Sequence, residues 1–401
     1  MEFPLKVVIT GASGYVGQNI VPILKAQCDA ILLVGRDVSK LREIFPGLEY
    51  CTFEELEAKA AGFDTLVHLS VLNNDQEGTE ADFNKVNTEL TIQTAKSAEA
   101  CGIQRFYNIS SVHALDEQNL SLYAKSKRAA VAGLANFTRL QVINIYLPFV
   151  RGTQWNGKLA FLNSLPPVVE RPLKTFLLAL KPSVEARELA DFILHSDGKQ
   201  DTVILSNGQS NNSAYAIIKR GIDLLFAITV IVLMGWALLI VWALIRFGSP
   251  GPGIFAQDRV GQHGKTFTCY KFRTMQDGTV QLGTHEVSQS AVTPIGRFLR
   301  RTKIDELPQI WNIFKNEISL IGPRPGLPVQ TELFQARQAR GVFEVKPGIS
   351  GLAQVNDIDM SDPEKLAKWD ARYIRLQSLI LDLKLVLATI RGKGQGDKTS
   401  A

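Results

Sequence analysis

One stretch of the sequence constrains the whole chain: residues Leu224 to Ile245 read LLFAITVIVLMGWALLIVWALI, without a single charged side chain. At 1.5 Å per residue, a helix of about 22 residues reaches roughly 33 Å, the thickness of the hydrocarbon core of a bilayer. A buried helix of a soluble domain is the alternative, but uninterrupted apolar runs of this length are typical of membrane segments. The sequence therefore predicts a membrane-embedded helix between two polar regions.

Composition limits what those polar regions can be. The chain has 401 residues, and its 45% hydrophobic and 21% charged shares are typical of globular domains, which excludes a disordered chain. The formal net charge of +5 is too small to indicate nucleic acid as a partner, although it suits an anionic membrane surface. The cysteines form no CxxC pair and the histidines are scattered, so neither a disulfide scaffold nor a Cys/His metal site is expected.

Residues 1–210 alternate short apolar runs with helical patterns, which predicts an α/β domain with a doubly wound parallel sheet. We expect a linker and membrane helix over residues 211–246, and a second domain, rich in Gly, Pro and Arg, over residues 247–401. The predicted strands are Val7–Thr10, Ala30–Val34, Thr65–Leu69, Phe106–Ile109 and Val142–Leu147, and the predicted helices are Ile20–Gln27, Asn84–Ala100 and Tyr123–Phe137.

A glycine-rich turn follows the first predicted strand. Gly11, Gly14 and Gly17 form a G-x-x-G-x-x-G pattern that leads into a helical segment. Glycines permit a tight turn and a close approach of the backbone, and the helix N-terminus offers free N–H groups to a pyrophosphate. Because the pattern directly follows a strand at the start of an α/β domain, it predicts a dinucleotide site.

The end of the second predicted strand bears on which dinucleotide binds. An acidic residue that binds the ribose usually closes this strand. Here Gly35 and Arg36 occupy that place, which offers space and positive charge to a 2′-phosphate and favours NADP(H). Asp37 follows directly, so NAD(H) stays open.

A third pattern in this half is typical of an active site. Tyr123 and Lys127 are four residues apart, so they lie on one face of a helix. The lysine can lower the tyrosine pKa and bind a ribose, and the phenol can then act as a general acid or base. Ser111, at the end of a neighbouring predicted strand, can bind a substrate oxygen.

Together these residues resemble the extended short-chain dehydrogenase/reductase family of nucleotide-sugar epimerases, dehydratases and ketoreductases, over about residues 5–210. The resemblance implies a Rossmann fold, cofactor contacts from the three glycines, a catalytic triad of Ser111, Tyr123 and Lys127, and a cofactor-neighbouring asparagine at Asn87. The loop between Ser111 and Tyr123 is short and the region after Gly152 is compact. A domain that binds a nucleotide sugar without catalysis is therefore the alternative.

Past the apolar run, cations gather around one adjacent carboxylate pair, Asp305 and Glu306. Arg and Lys clusters suit phosphate groups. A carboxylate can attack phosphorus to form an acyl phosphate, or it can hold Mg²⁺ that screens the charge of a diphosphate. Charge alone does not separate phosphoryl chemistry at the bilayer surface from a solvated basic face that contacts lipid headgroups.

Several separate motifs in this half, IDELPQ at 304–309 and IGPRP at 321–325 among them, resemble the bacterial sugar transferases, which are monotopic polyprenyl-phosphate phosphoglycosyl transferases. The resemblance implies a small, mostly helical α/β domain that moves a sugar-1-phosphate from a UDP-sugar to undecaprenyl phosphate and releases UMP. Asp305 would be the nucleophile and would hold Mg²⁺, and Glu306 would complete the dyad. Phosphate binding is assigned more loosely to Lys271, Arg273, Arg300 and Arg324.

Substrates and charges together predict the topology. NADP(H) and UDP-sugars are cytoplasmic, so both flanking domains are expected on the cytoplasmic face of the bacterial inner membrane. Lys219 and Arg220 precede the apolar run and Arg246 follows it, and basic residues tend to stay inside. We therefore expect a re-entrant helix hairpin that bends at Gly235, because glycine is a weak helix former. A homodimer is left open.

Three functions remain to be compared. The first is a bifunctional enzyme whose N-terminal domain reduces or epimerises a UDP-sugar and whose C-terminal domain loads it onto undecaprenyl phosphate, which starts an O-antigen, capsule or exopolysaccharide unit. The second is an active transferase with a non-catalytic regulatory N-terminal domain that binds a nucleotide sugar. The third is a membrane scaffold without catalytic activity.

Overall fold

The computed structural model describes residues 5–155, 157–279 and 291–394. Two compact units make up the chain. The N-terminal unit consists of Met1–Glu170 and Ser183–Asn207, and the C-terminal unit consists of Arg171–Pro182 and Gly208–Ala401.

A seven-stranded parallel sheet organises the N-terminal unit, and it confirms the predicted doubly wound fold. Its order is β3-β2-β1-β4-β5-β6-β9, so the chain reverses direction across the sheet at β1 and β4. A separate parallel pair joins β7 to β8. The strands are β1 Lys6–Thr10, β2 Ala30–Val34, β3 Glu49–Cys51, β4 Thr65–His68, β5 Arg105–Ser111, β6 Gln141–Leu147, β7 Phe149–Arg151, β8 Ser183–Glu185 and β9 Thr202–Ile204.

Helices cover both faces of this sheet. Successive residues of β1 point in opposite directions, so Val7 and Ile9 lie in one buried cluster and Val8 in another. Burial on both faces explains why the strands read as continuous apolar runs. The helices of this unit are α1 Tyr15–Lys25, α2 Val38–Ile44, α3 Leu56–Lys59, α4 Glu80–Asn84, α5 Leu90–Ala100, α6 Leu122–Leu134 and α8 Ala186–His195, and α7 Pro167–Leu180 belongs mostly to the C-terminal unit.

Two local features differ from the sequence prediction. The short edge strands β3 and β9 were not predicted, because strands of three residues with exposed positions such as Glu49 lack a continuous apolar run. The single helix predicted over Asn84–Ala100 is divided by a π-helical turn, Lys85–Glu89. Such turns are rare in proteins, and those that occur are often found at functional sites.

The apolar run forms a helix in the C-terminal unit, α9 Ser213–Gly248. At 1.5 Å per residue its 36 residues extend about 54 Å. By length and composition it is able to cross a membrane, and only 11% of its most apolar window is buried. The alternative of a buried core helix is therefore wrong, since most of its apolar side chains are exposed or only half-buried.

The predicted hairpin at Gly235 is not found, because α9 continues through this residue without interruption. Glycine inside a helix costs only about 1 kcal/mol, whereas a proline would also remove a backbone hydrogen bond. Both ends of α9 contact the same unit: Lys219 pairs with Asp382, and Arg273 binds the carbonyl oxygens of the last turn.

The remainder of this unit is mostly helical, as predicted, around two small sheets. β10 and β11 pair antiparallel, and β12 and β13 pair parallel. Buried Asp370 and Tyr373 occupy the inner face of α14, so an apolar periodicity is hard to see there. The elements are β10 Ile254–Val260, β11 Thr266–Phe272, α10 Pro294–Thr302, α11 Ile310–Phe314, β12 Ser319–Ile321, α12 Thr331–Gln338, β13 Gly348–Ser350, α13 Leu352–Val355, α14 Pro363–Leu376 and α15 Leu379–Ile390.

Candidate active sites

The three glycines of the N-terminal unit form a close-packed turn. Gly11 has a φ of +68°, and a Cβ there would lie 2.6 Å from the backbone of Leu69 and Ser70. A Cβ on Gly17 would lie 2.4 Å from the carbonyl oxygen of Ala12. Gly14 begins α1, whose first turn has neither a side-chain cap nor an acidic residue. The first N–H groups of α1 are therefore suited to bind an anion such as a pyrophosphate.

Arg36 and Asp37, the two residues that bear on the choice between NADP(H) and NAD(H), have different surroundings. Arg36 is exposed at the end of β2. The carboxylate of Asp37 caps α2, where it accepts a hydrogen bond of 3.0 Å from the backbone N–H of Lys40. This arrangement leaves the arginine side chain at the surface and commits one oxygen of the acid to the helix.

Ser111, Tyr123 and Lys127 come together where β5 ends and α6 begins. The Lys127 ammonium is 2% exposed and donates a hydrogen bond of 2.9 Å to the carbonyl oxygen of Ile109. Burial lowers the pKa of Lys127 to about 8. Burial raises the pKa of Tyr123, and its hydrogen bond with Ser111 partly offsets that effect. The phenol is therefore protonated at neutral pH and is a suitable general acid.

Asn87 lies in the π-helical turn, fully buried, and its amide is already engaged. Its Oδ1 accepts from the N–H of Leu72 at 2.8 Å, and its Nδ2 donates to the carbonyl oxygen of Leu72 and to Ser126 Oγ. These bonds fix the loop that follows β4. The structure thus gives Asn87 a positioning contact with this loop, which the resemblance alone did not indicate.

A buried histidine, one of the scattered histidines of the sequence, lies near this loop. His68 is fully buried, with Nδ1 2.9 Å from Thr10 Oγ1 and Nε2 3.0 Å from Thr91 Oγ1. Burial lowers the pKa of His68 to about 3, and the nearby Lys127 charge adds to that effect. The ring is neutral at physiological pH and links β1, β4 and α5. A lone histidine gives no sequence signal for such a network.

In the C-terminal unit, Asp305 and Glu306 lie in a short 3₁₀ helix, Ile304–Gln309, at the wall of a cavity of about 830 Å³. Lys303 precedes the pair with a φ of +59°, which is uncommon for a residue with a side chain and is frequent at functional sites. The cationic residues of the wall are Arg259, Lys271, Arg273, Arg300, Lys303 and Arg324.

Glu306 is paired with two of these cations. Its Oε1 lies 2.7 Å from Lys271 Nζ and 3.5 Å from Arg324 Nη1. Burial alone would raise its pKa, but the two cations and the hydrogen bond from Lys271 together lower the pKa of Glu306 to about 2. Glu306 is therefore a permanent anion that holds Lys271 and Arg324 in place.

Asp305 differs from its neighbour. Burial, with the adjacent Glu306 charge as the second cause, raises the pKa of Asp305 to about 6, while Lys271, Arg300 and Arg324 oppose the shift. Arg300 also donates from Nε to Thr274 Oγ1 at 3.0 Å. One member of the pair is thus held by cations, and the other is a poorly solvated carboxylate with a raised pKa.

Arg273 departs from the phosphate-binding role predicted for it. Its guanidinium is 5% exposed and donates to the carbonyl oxygens of Pro250, Ile245 and Ser249 and to the Ser249 hydroxyl. Carbonyl groups at the end of a helix lack intrahelical partners and attract cations. Arg273 therefore caps the C-terminal end of α9. The sequence did not distinguish it from Lys271, Arg300 and Arg324, the cations near Asp305 and Glu306.

The fold and the two sites define a class: a nucleotide-binding α/β unit joined to a transferase unit with a long apolar helix. Residues 7–158 match the NAD dependent epimerase/dehydratase family, and residues 214–394 match the bacterial sugar transferase family. The chain is 41% identical over 175 residues to the uncharacterized sugar transferase EpsL of Bacillus subtilis. The matched segment is 44% of this chain and 86% of that protein. The chain belongs to the bacterial sugar transferase family, and it is an enzyme.

A second relative is the UDP-N-acetylgalactosamine-undecaprenyl-phosphate N-acetylgalactosaminephosphotransferase of Aeromonas hydrophila, 40% identical over 184 residues, 44% of each chain. The chain thus spans less than half the length of that relative. Among solved structures, WbmG of Bordetella bronchiseptica in complex with NAD and UDP is 18% identical, with a TM-score of 0.41, over 51% of this chain and 73% of that one. The match to the epimerase/dehydratase family supports a nicotinamide cofactor for the N-terminal unit.

Proposed function

We propose that this enzyme transfers a sugar-1-phosphate from a UDP-sugar to undecaprenyl phosphate and releases UMP. The observation that supports this most is the carboxylate pair in the C-terminal cavity, where Glu306 is held by Lys271 and Arg324 and Asp305 is left as a nucleophile. The Aeromonas relative is 40% identical over 184 residues, and its name supports a UDP-sugar as the donor and undecaprenyl phosphate as the acceptor.

The reaction proceeds through two displacements at one phosphorus atom. The Asp305 carboxylate attacks the phosphorus that carries the sugar, forms an acyl phosphate bond, and breaks the diphosphate bond so that UMP leaves. A phosphate oxygen of undecaprenyl phosphate then attacks the same phosphorus and releases Asp305. Lys271, Arg300 and Arg324 neutralise the phosphate charge that would otherwise repel the carboxylate.

Mg²⁺ is part of this proposal, with Asp305 as its protein ligand. Mg²⁺ commonly binds one or two carboxylates and completes its shell with substrate phosphates and water. The described part of the chain contains no group of three or more His, Cys, Asp or Glu residues that could hold a metal by itself. A single carboxylate beside a diphosphate fits this pattern, and the ion would supply charge neutralisation.

For the N-terminal unit we propose a nicotinamide-dependent reduction or epimerisation at C4 of a UDP-sugar. Tyr123 exchanges the proton of the sugar oxygen, Ser111 binds that oxygen, and Lys127 binds the ribose and stabilises the phenolate. Exposed Arg36 and the engagement of Asp37 with α2 support NADP(H) over NAD(H). Gly11, Gly14 and Gly17 hold the pyrophosphate at the start of α1, and the product becomes the donor of the transferase.

The same proposal places the enzyme at the cytoplasmic face of the bacterial inner membrane. UDP-sugars and nicotinamide cofactors are made in the cytoplasm. The exposed apolar surface of α9 provides the membrane contact. Both ends of α9 contact the same polar unit, which supports placing both ends of the helix on one side of the bilayer.

UMP release tests the transferase. Protein in nanodiscs is given undecaprenyl phosphate, Mg²⁺ and a panel of UDP-sugars, and Asp305→Asn is compared with Asp258→Asn, an exposed carboxylate on β10. We expect release that Asp305→Asn abolishes and Asp258→Asn leaves unchanged. Equal release from all three proteins, or none from the wild type with any UDP-sugar, 4-keto UDP-sugars with NADPH included, would contradict the proposal.

A reductase assay separates the two proposals for the N-terminal unit. NADPH oxidation with 4-keto UDP-sugars is compared between the wild type and Tyr123→Phe. Loss of oxidation in the variant supports a catalytic domain. Cofactor binding with neither NADPH oxidation nor interconversion of C4 epimers in either protein supports the regulatory alternative, for which the compact region after Gly152 is the specific observation.

A further inference from the structure

A buried polar cluster joins the first turns of the apolar helix to the body of the C-terminal unit, and the mechanism above does not use it. Lys219 Nζ donates to Asp382 Oδ2 at 2.7 Å and to the carbonyl oxygen of Ile321 at 2.9 Å. Tyr215 and Tyr373 each donate a hydrogen bond of 2.8 Å to the same Asp382 carboxylate. The tyrosines and Asp382 are less than 10% exposed.

Asp223, one turn further along α9, makes the second half of this connection. It is 4% exposed, and its Oδ1 accepts from the backbone N–H of Leu320 at 2.8 Å and from Ser319 Oγ at 3.0 Å. The helix therefore holds all three residues of β12: the hydroxyl of Ser319, the N–H of Leu320 and the carbonyl of Ile321.

β12 leads directly into the segment that carries a cation of the active site. Gly322 donates its N–H to the carbonyl oxygen of Ser350 at 2.8 Å, and Gly348 donates to that of Pro323 at 2.9 Å. A Cβ on Gly322 would lie 2.5 Å from the carbonyl oxygen of Lys346, so the backbone has little freedom to shift. Arg324 follows, 3.5 Å from Glu306.

We propose that Asp223 and Lys219 are positioning residues of the transferase: they fix β12 so that Arg324 meets Glu306 and the substrate phosphates in the productive geometry. Buried charges are costly unless each is paired, and replacing such clusters by apolar residues is often stabilising. A cluster that only strengthened the fold would have no need of charged side chains that contact three consecutive residues of the strand before Arg324. This inference rests on the proposed phosphate chemistry for the role of Arg324. The grip on β12, by which we mean the hydrogen bonds from Asp223 and Lys219 to this strand, rests on geometry alone.

Asp223 offers a matched pair of variants. Asp223→Asn keeps an oxygen that accepts from Leu320 and Ser319, whereas Asp223→Ala removes it. Lys219→Met is less suitable, because it leaves Asp382 buried without its cation and endangers folding. Misplacement of a catalytic group by about 1 Å costs on the order of 100-fold in rate, so we expect Asp223→Ala to lower kcat/KM about 10- to 100-fold. Asp223→Asn is expected to stay within about threefold of the wild type.

A double-mutant cycle distinguishes positioning from general stability. If Asp223 acts through Arg324, then Asp223→Ala has little further effect in the Arg324→Ala background, since the group it positions is gone. Rates are measured as UMP release at saturating and limiting UDP-sugar, with a mainly lower kcat expected. Additive losses in the cycle, or equal losses in Asp223→Ala and Asp223→Asn, would overturn the proposal.

Hydrogen–deuterium exchange provides a readout that does not need activity. In the full-length protein in nanodiscs, Asp223→Ala is expected to speed exchange about tenfold or more in a peptide covering residues 319–326, and Asp223→Asn is not. Unchanged exchange in this peptide, or an equal increase throughout the unit, contradicts the grip on β12. Faster local exchange in a protein whose wild type releases no UMP would mean that the proposed function fails while the grip on β12 holds.

Discussion

The two units place charge in opposite ways around their candidate sites. In the N-terminal unit, the ammonium of Lys127 is buried against a neutral carbonyl oxygen, and the glycine turn offers backbone N–H groups. In the C-terminal unit, the carboxylate of Glu306 lies between Lys271 and Arg324. A cofactor that brings its own anionic pyrophosphate needs a helix N-terminus and space. A carboxylate that must approach an anionic phosphorus needs cations beside it.

The pKa values follow this difference. Desolvation governs the N-terminal site, where burial lowers the pKa of Lys127 to about 8 and raises that of Tyr123. In the C-terminal site burial raises the pKa of Asp305 to about 6, whereas the Lys271 and Arg324 charges overcome burial and lower that of Glu306 to about 2. The surroundings of each group therefore decide how it titrates, even for two adjacent carboxylates.

The largest expected effect tests whether the sites act separately. Asp305→Asn removes the proposed nucleophile, so UMP release should fall by at least about 1,000-fold while NADPH oxidation is unchanged. Tyr123→Phe should do the reverse when the transferase is supplied with a finished UDP-sugar. Loss of both activities in either single variant would show that the comparison of two independent sites is wrong.

The same substitution should change stability in opposite directions in the two units. Lys127→Met removes a buried cation that has no anionic partner. It should raise the free energy of unfolding by about 1–3 kcal/mol and raise the thermal midpoint with it. Lys271→Met leaves Glu306 with one cation fewer and should lower it by a similar amount. Scanning calorimetry of the intact protein in nanodiscs measures both. Shifts of the same sign would contradict the contrast between desolvation and pairing.

The pH profile of the transferase should report the raised pKa of Asp305. Only the ionised carboxylate attacks phosphorus or binds Mg²⁺, so at limiting Mg²⁺ the rate of UMP release should fall as the pH drops from 7 to 5 through the pKa of Asp305, which is about 6 in the metal-free site. Because the Lys271 charge lowers this pKa, the residual activity of Lys271→Met should show a higher midpoint. A rate at limiting Mg²⁺ that does not fall between pH 7 and pH 5 in the wild type would contradict this.

The smallest effect concerns His68. Its pKa is about 3 in the folded state and about 6.5 in the unfolded chain, so the unfolded state binds more protons between these limits. Stability of the N-terminal unit is therefore lost as the pH falls below 6.5, by about 2 kcal/mol between pH 7 and pH 5. His68→Gln removes this titration, and its thermal midpoint should depend less on pH. Equal pH dependence in the two proteins would contradict this.

Much of the fold could be predicted because its signals are local. Strand–helix alternation, the glycine turn and the four-residue spacing of Tyr123 and Lys127 depend on neighbours within a turn or two. Edge strands β3 and β9 could not be predicted, since three residues carry too little pattern. The hairpin expected at Gly235 was wrong because a weak helix former does not end a helix that is packed at both ends.

By itself, the sequence determined the order of the two units, the apolar helix between them, and the residues Gly11, Tyr123, Asp305 and Glu306 as centres of the candidate sites. Only the tertiary structure decided how similar side chains divide their roles: Arg324 contacts Glu306, whereas Arg273 closes the end of α9. The physical reason is that a motif specifies residue types over a few positions. Desolvation, ion pairing and hydrogen-bond partners depend on segments that meet across about a hundred residues of chain, as Asp223 and Leu320 do.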